Sequence, residues 1–289
     1  MKLKYTLIVP IAAALALHGC GDQTLRRVSS NLATTAQGSS DKVESFYLQL
    51  NKDHHKMDED EMTLRSMPEL QNTELPPRPK PGALYDPDDV IKPRIKITKL
   101  LAAYCVQIDN VANAKNTSEA DSVVKNLNGT VQTIGGDLLN WSGLQAKLAP
   151  SISALASPVK TLSELGLQAI FRFLRDKWAK DLIQSRDAAF EDVCVNLTRD
   201  LNNVGKDAKQ RAKNIAHLWM VVSEKRRAQH ASQDGTKNAN SEYDKASQFV
   251  DTVAANNPAD VFDQERDEFH ELATWAVAQT PTRKWPFSK

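Results

Sequence analysis

From Val159 to Asn257 the chain contains no proline, and Gly166 and Gly205 are the only glycines before Gly235. Inside this span Phe190, Cys194, Leu197, Leu201, Val204, Ala208, Ala212, Ile215, Trp219 and Val222 follow one another at steps of three or four residues. A repeat near 3.6 puts all of them on one face of a helix, whereas strand alternation would divide them between two faces. The reading is one helix of about 60 residues, about 90 Å at 1.5 Å per residue, or two segments bent near Gly205. Upstream, Leu162, Leu165, Ile170, Phe171, Leu174, Trp178 and Leu182 form a broader apolar face.

The same spacing recurs. Ile97, Leu101, Tyr104, Ile108 and Val111 predict one helix, and Ala120, Val124, Leu127, Val131, Ile134 and Leu138 predict the next. Asn116-Thr117-Ser118 separates them, with Thr117 or Ser118 as the expected N-cap. Gly135-Gly136 weakens the end of the second helix, and Trp141-Ser142-Gly143 begins a turn region closed by Pro150 and Pro158. Ser232 to Asn240 reads as a polar loop. Tyr243, Ala246, Val250 and Val253 start a further helix, Asn257-Pro258 breaks it, and Phe262, Phe269, Leu272 and Ala276 carry the last. No segment alternates long enough to require a strand. The fold class is therefore all-α: an elongated antiparallel bundle of stacked hairpins with one or more long helices, without a repeated sequence behind the shared spacing. Only 11 glycines, 25% charged residues and 6% aromatics agree with a helical rather than a sandwich protein.

The N-terminus carries a different pattern. Lys2 and Lys4 precede an uncharged, almost wholly apolar run from Tyr5 to Leu17, the length of a signal-peptide core and short for a bilayer span. Leu17-His18-Gly19-Cys20 follows and resembles the lipobox of bacterial lipoproteins: an aliphatic residue at −3, a small residue at −1, then cysteine. His18 departs from the small or aliphatic residue usual at −2. The resemblance covers about 20 residues of the 289. It implies cleavage before Cys20 and acylation of its thiol, and two or more chains anchor a protein stably at about 0.8 kcal/mol per buried CH₂. Gly21, rather than an aspartate, after the cysteine implies the outer membrane, with the domain facing the periplasm.

On this reading residues 1–19 are the signal, 20–40 a lipidated polar spacer and 41–63 a helix. In that helix Val43, Phe46, Tyr47 and Leu50 dock the first half and the charged second half is solvated or frayed. Residues 64–93 hold seven of the 13 prolines, densest in LPPRPKPG from Leu75 to Gly82. They read as a stiff linker or a strap across the bundle, ahead of a PxxP-type ligand. Residues 94–281 form the helical bundle domain, and 282–289 an aromatic basic tail.

Charge excludes some partners. Without the two lysines of the signal, basic and acidic residues number 35 and 36, so nothing points to nucleic acid or to an anionic surface. Cys105 and Cys194 are the cysteines left once Cys20 is lipidated. They allow a disulfide in an oxidising compartment, or two buried small hydrophobes. A catalytic thiol has no histidine signature to support it.

Few constellations carry chemistry. Asp53-His54-His55-Lys56-Met57-Asp58-Glu59-Asp60-Glu61 contains metal-ligand types, but adjacent histidines diverge by about 100° on a helix, so a solvated charged face is expected. His270-Glu271-Leu272-Ala273-Thr274 lacks the second histidine of HExxH. Asp267 and His270 have no matching pair, and His217 is expected at a helix–helix boundary. There is no G-x-S-x-G, P-loop, G-x-G-x-x-G or CxxC, and no cofactor is expected. The candidate partner-binding residues are Lys206, Lys209, Arg211 and Lys213, then Lys225, Arg226 and Arg227, whose charge also suits a helix C-terminus. Trp285 and Phe287 of the tail either cap the bundle or form a binding peptide.

The expected function is a membrane-anchored, non-enzymatic, protein-binding helical lipoprotein, in an immunity, envelope-accessory or exclusion role. The alternative is a helical lipoprotein that binds a small molecule or metal, with or without enzymatic activity. A mechanical spacer or homo-oligomer is a third class, and predicts an apolar stripe left exposed on the monomer.

Overall fold

The computed structural model describes residues 8–73, 91–138, 144–157, 160–161, 171–229 and 233–278. Among them every regular element is helical. In chain order these are α1 (Ile8–Arg65), a short 3₁₀ turn (Pro68–Leu70), α2 (Lys92–Asn113), α3 (Thr117–Leu138), α4 (Leu144–Ala156), α5 (Phe171–Ala228), α6 (Gln233–Asn256) and α7 (Val261–Ala278). The protein is all-α, as the spacing predicts. Both α1 and α5 run 58 residues.

The chain divides into two compact units. Unit 1 comprises residues 1–40, 96–196 and 260–289, and unit 2 comprises 41–95 and 197–259. In unit 1, Leu25, Val28, Leu32 and Ala36 of α1 are buried at steps of three and four, as are Ile97, Leu101, Tyr104 and Ile108 of α2. Phe190 of α5 stacks on Phe269 of α7 with ring centroids 4.0 Å apart and planes within 10°. Tyr104 lies against both, at 6.2 and 6.4 Å. Arg186 of α5 closes the end of α4: Nη1 donates to the carbonyls of Ala154 and Leu155, and Nη2 to that of Ser157, each at 2.7 Å. The Ala154 and Leu155 carbonyls belong to the last turn of α4, where no i+4 partner follows within the helix, and Ser157 comes directly after it.

In unit 2, Met57 and Leu64 of α1, Leu70, Ile215, Trp219 and Val222 of α5, and Ala239 and Val250 of α6 form one buried cluster. A fully buried Leu, Ile or Val adds roughly 1.5–3 kcal/mol, so the 65–73 segment belongs to this core through Leu70.

Several expectations are corrected. Residues 23–40 are not a polar spacer but part of α1. Gln23, Ser30, Thr34 and Gln37 occupy outer positions, while Leu25, Val28, Leu32 and Ala36 keep an apolar stripe and Ser29, Ser39 and Ser40 are buried beside it. The charged half of the 41–63 helix is not wholly solvated either: His54, Met57, Glu61 and Leu64 are buried on one face, while Lys52, His55, Lys56 and Glu59 stay exposed on the other. Helix α5 passes through Gly205 without a break. That glycine instead faces Asn257, where a Cβ would stand 2.9 Å from Nδ2. Asn116, not Thr117 or Ser118, caps α3: its Oδ1 accepts from the Glu119 N–H at 2.9 Å, and Glu119 reaches back to the Lys115 N–H at 2.9 Å. Pro150 lies inside α4 rather than closing a turn, and α6 already begins at Gln233 within the expected loop. The break at Asn257-Pro258 is where it was expected. The LPPRPKPG block, Trp141, Pro158, Leu162, Leu165 and Ile170 lie outside the described residues.

Candidate functional site

The expected seams are aliphatic and aromatic, yet both units bury charge in them. In unit 2, His54, Asp58, Glu61 and Arg65 step along α1 by four, three and four, which puts them on one face. Arg211 of α5 meets that face. Its Nη2 donates to Glu61 Oε2 at 2.9 Å and to Asp58 Oδ1, and its Nη1 donates to the His54 ring. Arg65 donates to Glu61 Oε1 from Nη2 at 2.7 Å and from Nε at 3.0 Å. His54 Nδ1 faces Asp58 Oδ2 at 3.4 Å. That assigns the proton to Nδ1 and leaves Nε2 to accept from Arg211.

Burial first, and the Arg211 charge second, push His54 down to about 4, so it is neutral at pH 7. Burial pushes the Asp58 and Glu61 carboxyls up, but hydrogen bonds from the guanidiniums outweigh it. Both lie below the ordinary carboxylate range. Arg211 therefore counts as a buried structural cation and not as a free partner-binding residue.

Two further contacts remove residues from the expected basic surface. Lys225 Nζ donates to the Glu69 carbonyl at 2.5 Å and to Thr73 Oγ1 at 3.1 Å, and Arg226 Nε donates to Glu69 Oε1 at 2.8 Å. These two cations fasten the 69–73 segment to the end of α5. Arg94 grips Asp200 through Nε and Nη2, at 2.5 and 2.9 Å, while Tyr47 Oη donates to the same carboxylate at 2.9 Å.

What remains exposed is a ridge on α5. Lys206 and Lys213 are exposed and Lys209 half-buried, at steps of three and four, and none of the three pairs with an acid among the described residues. His217, expected at a helix boundary, is exposed further along the same ridge, followed by Met220 at 38% exposure. Arg227 is also exposed. Beside the Arg211 network, a cavity of about 230 Å³ opens between α1, α5 and α6, with Met57, Ile215 and Phe249 on its apolar side and Lys56, Asp60 and Lys245 among its charged residues.

In unit 1, Cys105 of α2 and Cys194 of α5 are free thiols, both buried, so of the two readings the structure has the buried pair. Burial holds each thiol well above its ordinary range, and the Glu265 charge adds to this. Protonated, enclosed thiols are poor nucleophiles. Glu265 of α7 is 1% exposed. Neither of its oxygens makes a hydrogen bond of normal geometry, and the Ser39 hydroxyl of α1 is the donor that faces it. One turn on, Glu268 is held by Thr35 Oγ1 at 2.8 Å and by Gln264 Nε2 at 3.1 Å.

His270 is exposed, with Nδ1 3.9 Å from Asp187, and Asp267 lies against Arg266 at 3.4 Å, so these two form no joint site. Among the described residues no three His, Cys, Asp or Glu side chains converge as a metal would require. No helix among them is long and apolar enough to cross a membrane. The backbone of Cys20 lies within α1; its side chain, and Trp285 and Phe287, lie outside the described residues.

The buried charges had a sequence signal. Glu265 stands in the series Phe262, Glu265, Phe269, Leu272, and Arg211 stands at helical spacing from Ala208 and Ile215. A charge at a seam position is the mark of a buried pair or of a buried lone acid. Comparison of the chain with protein-family models, curated proteins and solved structures yields no match.

Proposed function

We propose that this chain is a bacterial envelope lipoprotein, anchored through acylated Cys20, that acts as a non-enzymatic protein-binding helical module. The observation that carries the reading is Leu17-His18-Gly19-Cys20 behind an apolar core. Support for the binding role comes from α5, whose Lys206, Lys209 and Lys213 are left without acidic partners among the described residues. A partner with an acidic face is the chemistry they recognise. Such a contact does not separate an immunity, envelope-accessory or exclusion role. Because α1 buries Leu25, the anchor on this reading stands about 7.5 Å along the helix, five residues at 1.5 Å each, from the first buried side chain among the described residues. The module is therefore held close to the bilayer rather than on a tether.

Metabolic labelling with a clickable fatty acid tests the anchor. Wild-type protein should be labelled and sediment with membranes, and Cys20→Ala should remain unlabelled and unprocessed; a labelled Cys20→Ala protein, or an unlabelled wild type, refutes the reading. Crosslinking in intact envelopes tests the ridge: the combined Lys206→Glu, Lys209→Glu, Lys213→Glu variant should lose at least tenfold of the wild-type protein adduct while keeping its helical circular dichroism. An undiminished adduct removes the ridge from the interface.

A further inference from the structure

Glu265 of α7 is buried in unit 1, as are Ser39 of α1, Cys105 of α2 and Cys194 of α5, each 2% exposed or less. The groups that act on Glu265 are the Glu268 charge and the Ser39 hydroxyl, and Glu265 in turn acts on both thiols. None of the groups acting on Glu265 is a cation. Arg266, its neighbour in sequence, turns to Asp263 at 3.1 Å and to Asp267. Glu268, one turn on, accepts from Thr35 and Gln264.

A neutral carboxyl suits this position, since it can donate one hydrogen bond and accept others. A carboxylate there has no counter-charge and a like charge one turn away. Nor can the side chain swing to water, because Phe262, Glu265, Phe269, Leu272 and Ala276 all lie on the buried face of α7. Solvating the carboxylate requires moving the helix.

We propose that Glu265 makes the docking of α7 in unit 1 conditional on a proton: the helix stays packed while the carboxyl is neutral and loosens when it ionises. The proton lost goes to solvent as the carboxylate reaches water.

The sign follows from linkage. Burial, then Glu268, push docked Glu265 up to about 8, while a solvated carboxyl titrates in the ordinary range near 4.5. Below that range both forms hold the proton. Between it and about pH 8 only the docked form does, so the undocked fraction rises by up to about tenfold per pH unit. Above about pH 8 both forms are ionised and the dependence ends.

The test is hydrogen exchange of the full chain from pH 5 to 9, corrected for intrinsic chemical rates, with α6 as internal reference. Residues 261–278 should lose protection progressively up to about pH 8 and then level off. Glu265→Gln should keep them protected throughout, and Glu268→Gln, which removes the like charge that raises the docked carboxyl, should make the loss smaller and end it at lower pH. A wild-type α7 whose protection does not change with pH overturns the proposal, as does a Glu265→Gln protein that titrates like wild type. If Glu265→Gln does not fold, the ¹³C carboxyl resonance of wild-type Glu265 decides: titration near 8 upholds the proposal, and titration in the ordinary carboxylate range overturns it.

Discussion

Arg211→Met is expected to destabilise unit 2 by about 3 kcal/mol, the low end of what removal of one partner from a buried ion pair costs. Methionine fills much of the volume, so the loss comes from charge. Glu61 is left buried, with Arg65 as its remaining cation, and His54 loses its donor at Nε2. Asp58 is half exposed and adds less, because water takes over its solvation. Urea denaturation should show a lower midpoint with an unchanged slope. Arg211→Met combined with Glu61→Leu should recover most of the loss, because replacing both charges by apolar groups removes the orphan. A single variant as stable as wild type would show that the pair contributes nothing.

The same substitution has a titration signature. Wild-type His54 stays neutral down to about 4, so it opposes folding as pH falls from the ordinary histidine range toward 4, where the unfolded chain binds a proton that the folded chain does not. Removing Arg211 leaves burial in place but takes away the second cause of the depression. The His54 ring resonances should then titrate at higher pH than in wild type. An unmoved titration would mean that burial alone sets it.

Phe269→Ala is expected to cost about 3–5 kcal/mol, the range for emptying a buried aromatic site. The ring stacks on Phe190 and lies against Tyr104, so α7, α5 and α2 all lose contact with it, and part of the aromatic pair energy is lost as well. Phe269→Leu should cost much less, since most of the volume is kept. Denaturation is best compared near pH 5, where Glu265 is protonated and does not add its own term. A Phe269→Ala loss below about 1 kcal/mol would mean that the three rings do not form a common core.

The lesson of the sequence comes from particular positions. The three-four repeat identified α2, the first half of α3 and the whole of α5 within unit 2, because an apolar stripe on a helix has to be buried. It failed for residues 23–40, where abundant polar residues hid a narrow stripe of Leu25, Val28, Leu32 and Ala36. Composition averages over all faces of a helix, whereas packing uses one. Pro150 and the polar residues from Gln233 to Asn240 misled for a similar reason: local signals favoured turns, and the helices formed there regardless.

The charged candidates separate along the same line. Lys206, Lys209, Arg211 and Lys213 are four cations within eight residues, and nothing in their identity distinguishes Arg211 from the others. Helical phase does: residue 211 falls between Ala208 and Ile215 on the inward face, while 206, 209 and 213 fall on the outward one. Likewise Glu61 and Glu265 are ordinary acids until neighbouring helices close over them.

The sequence alone therefore determined the all-α class and the long α5, and carries the resemblance to a lipobox at Cys20, since each depends on residues near one another along the chain. Tertiary structure alone decided how the buried charges are paired, that Cys105 and Cys194 are unbridged thiols, and that Glu265 is buried with them in unit 1 without a cation. The reason is physical: solvation and pairing are set by helices that meet in space from distant parts of the chain, and no local spacing specifies those meetings.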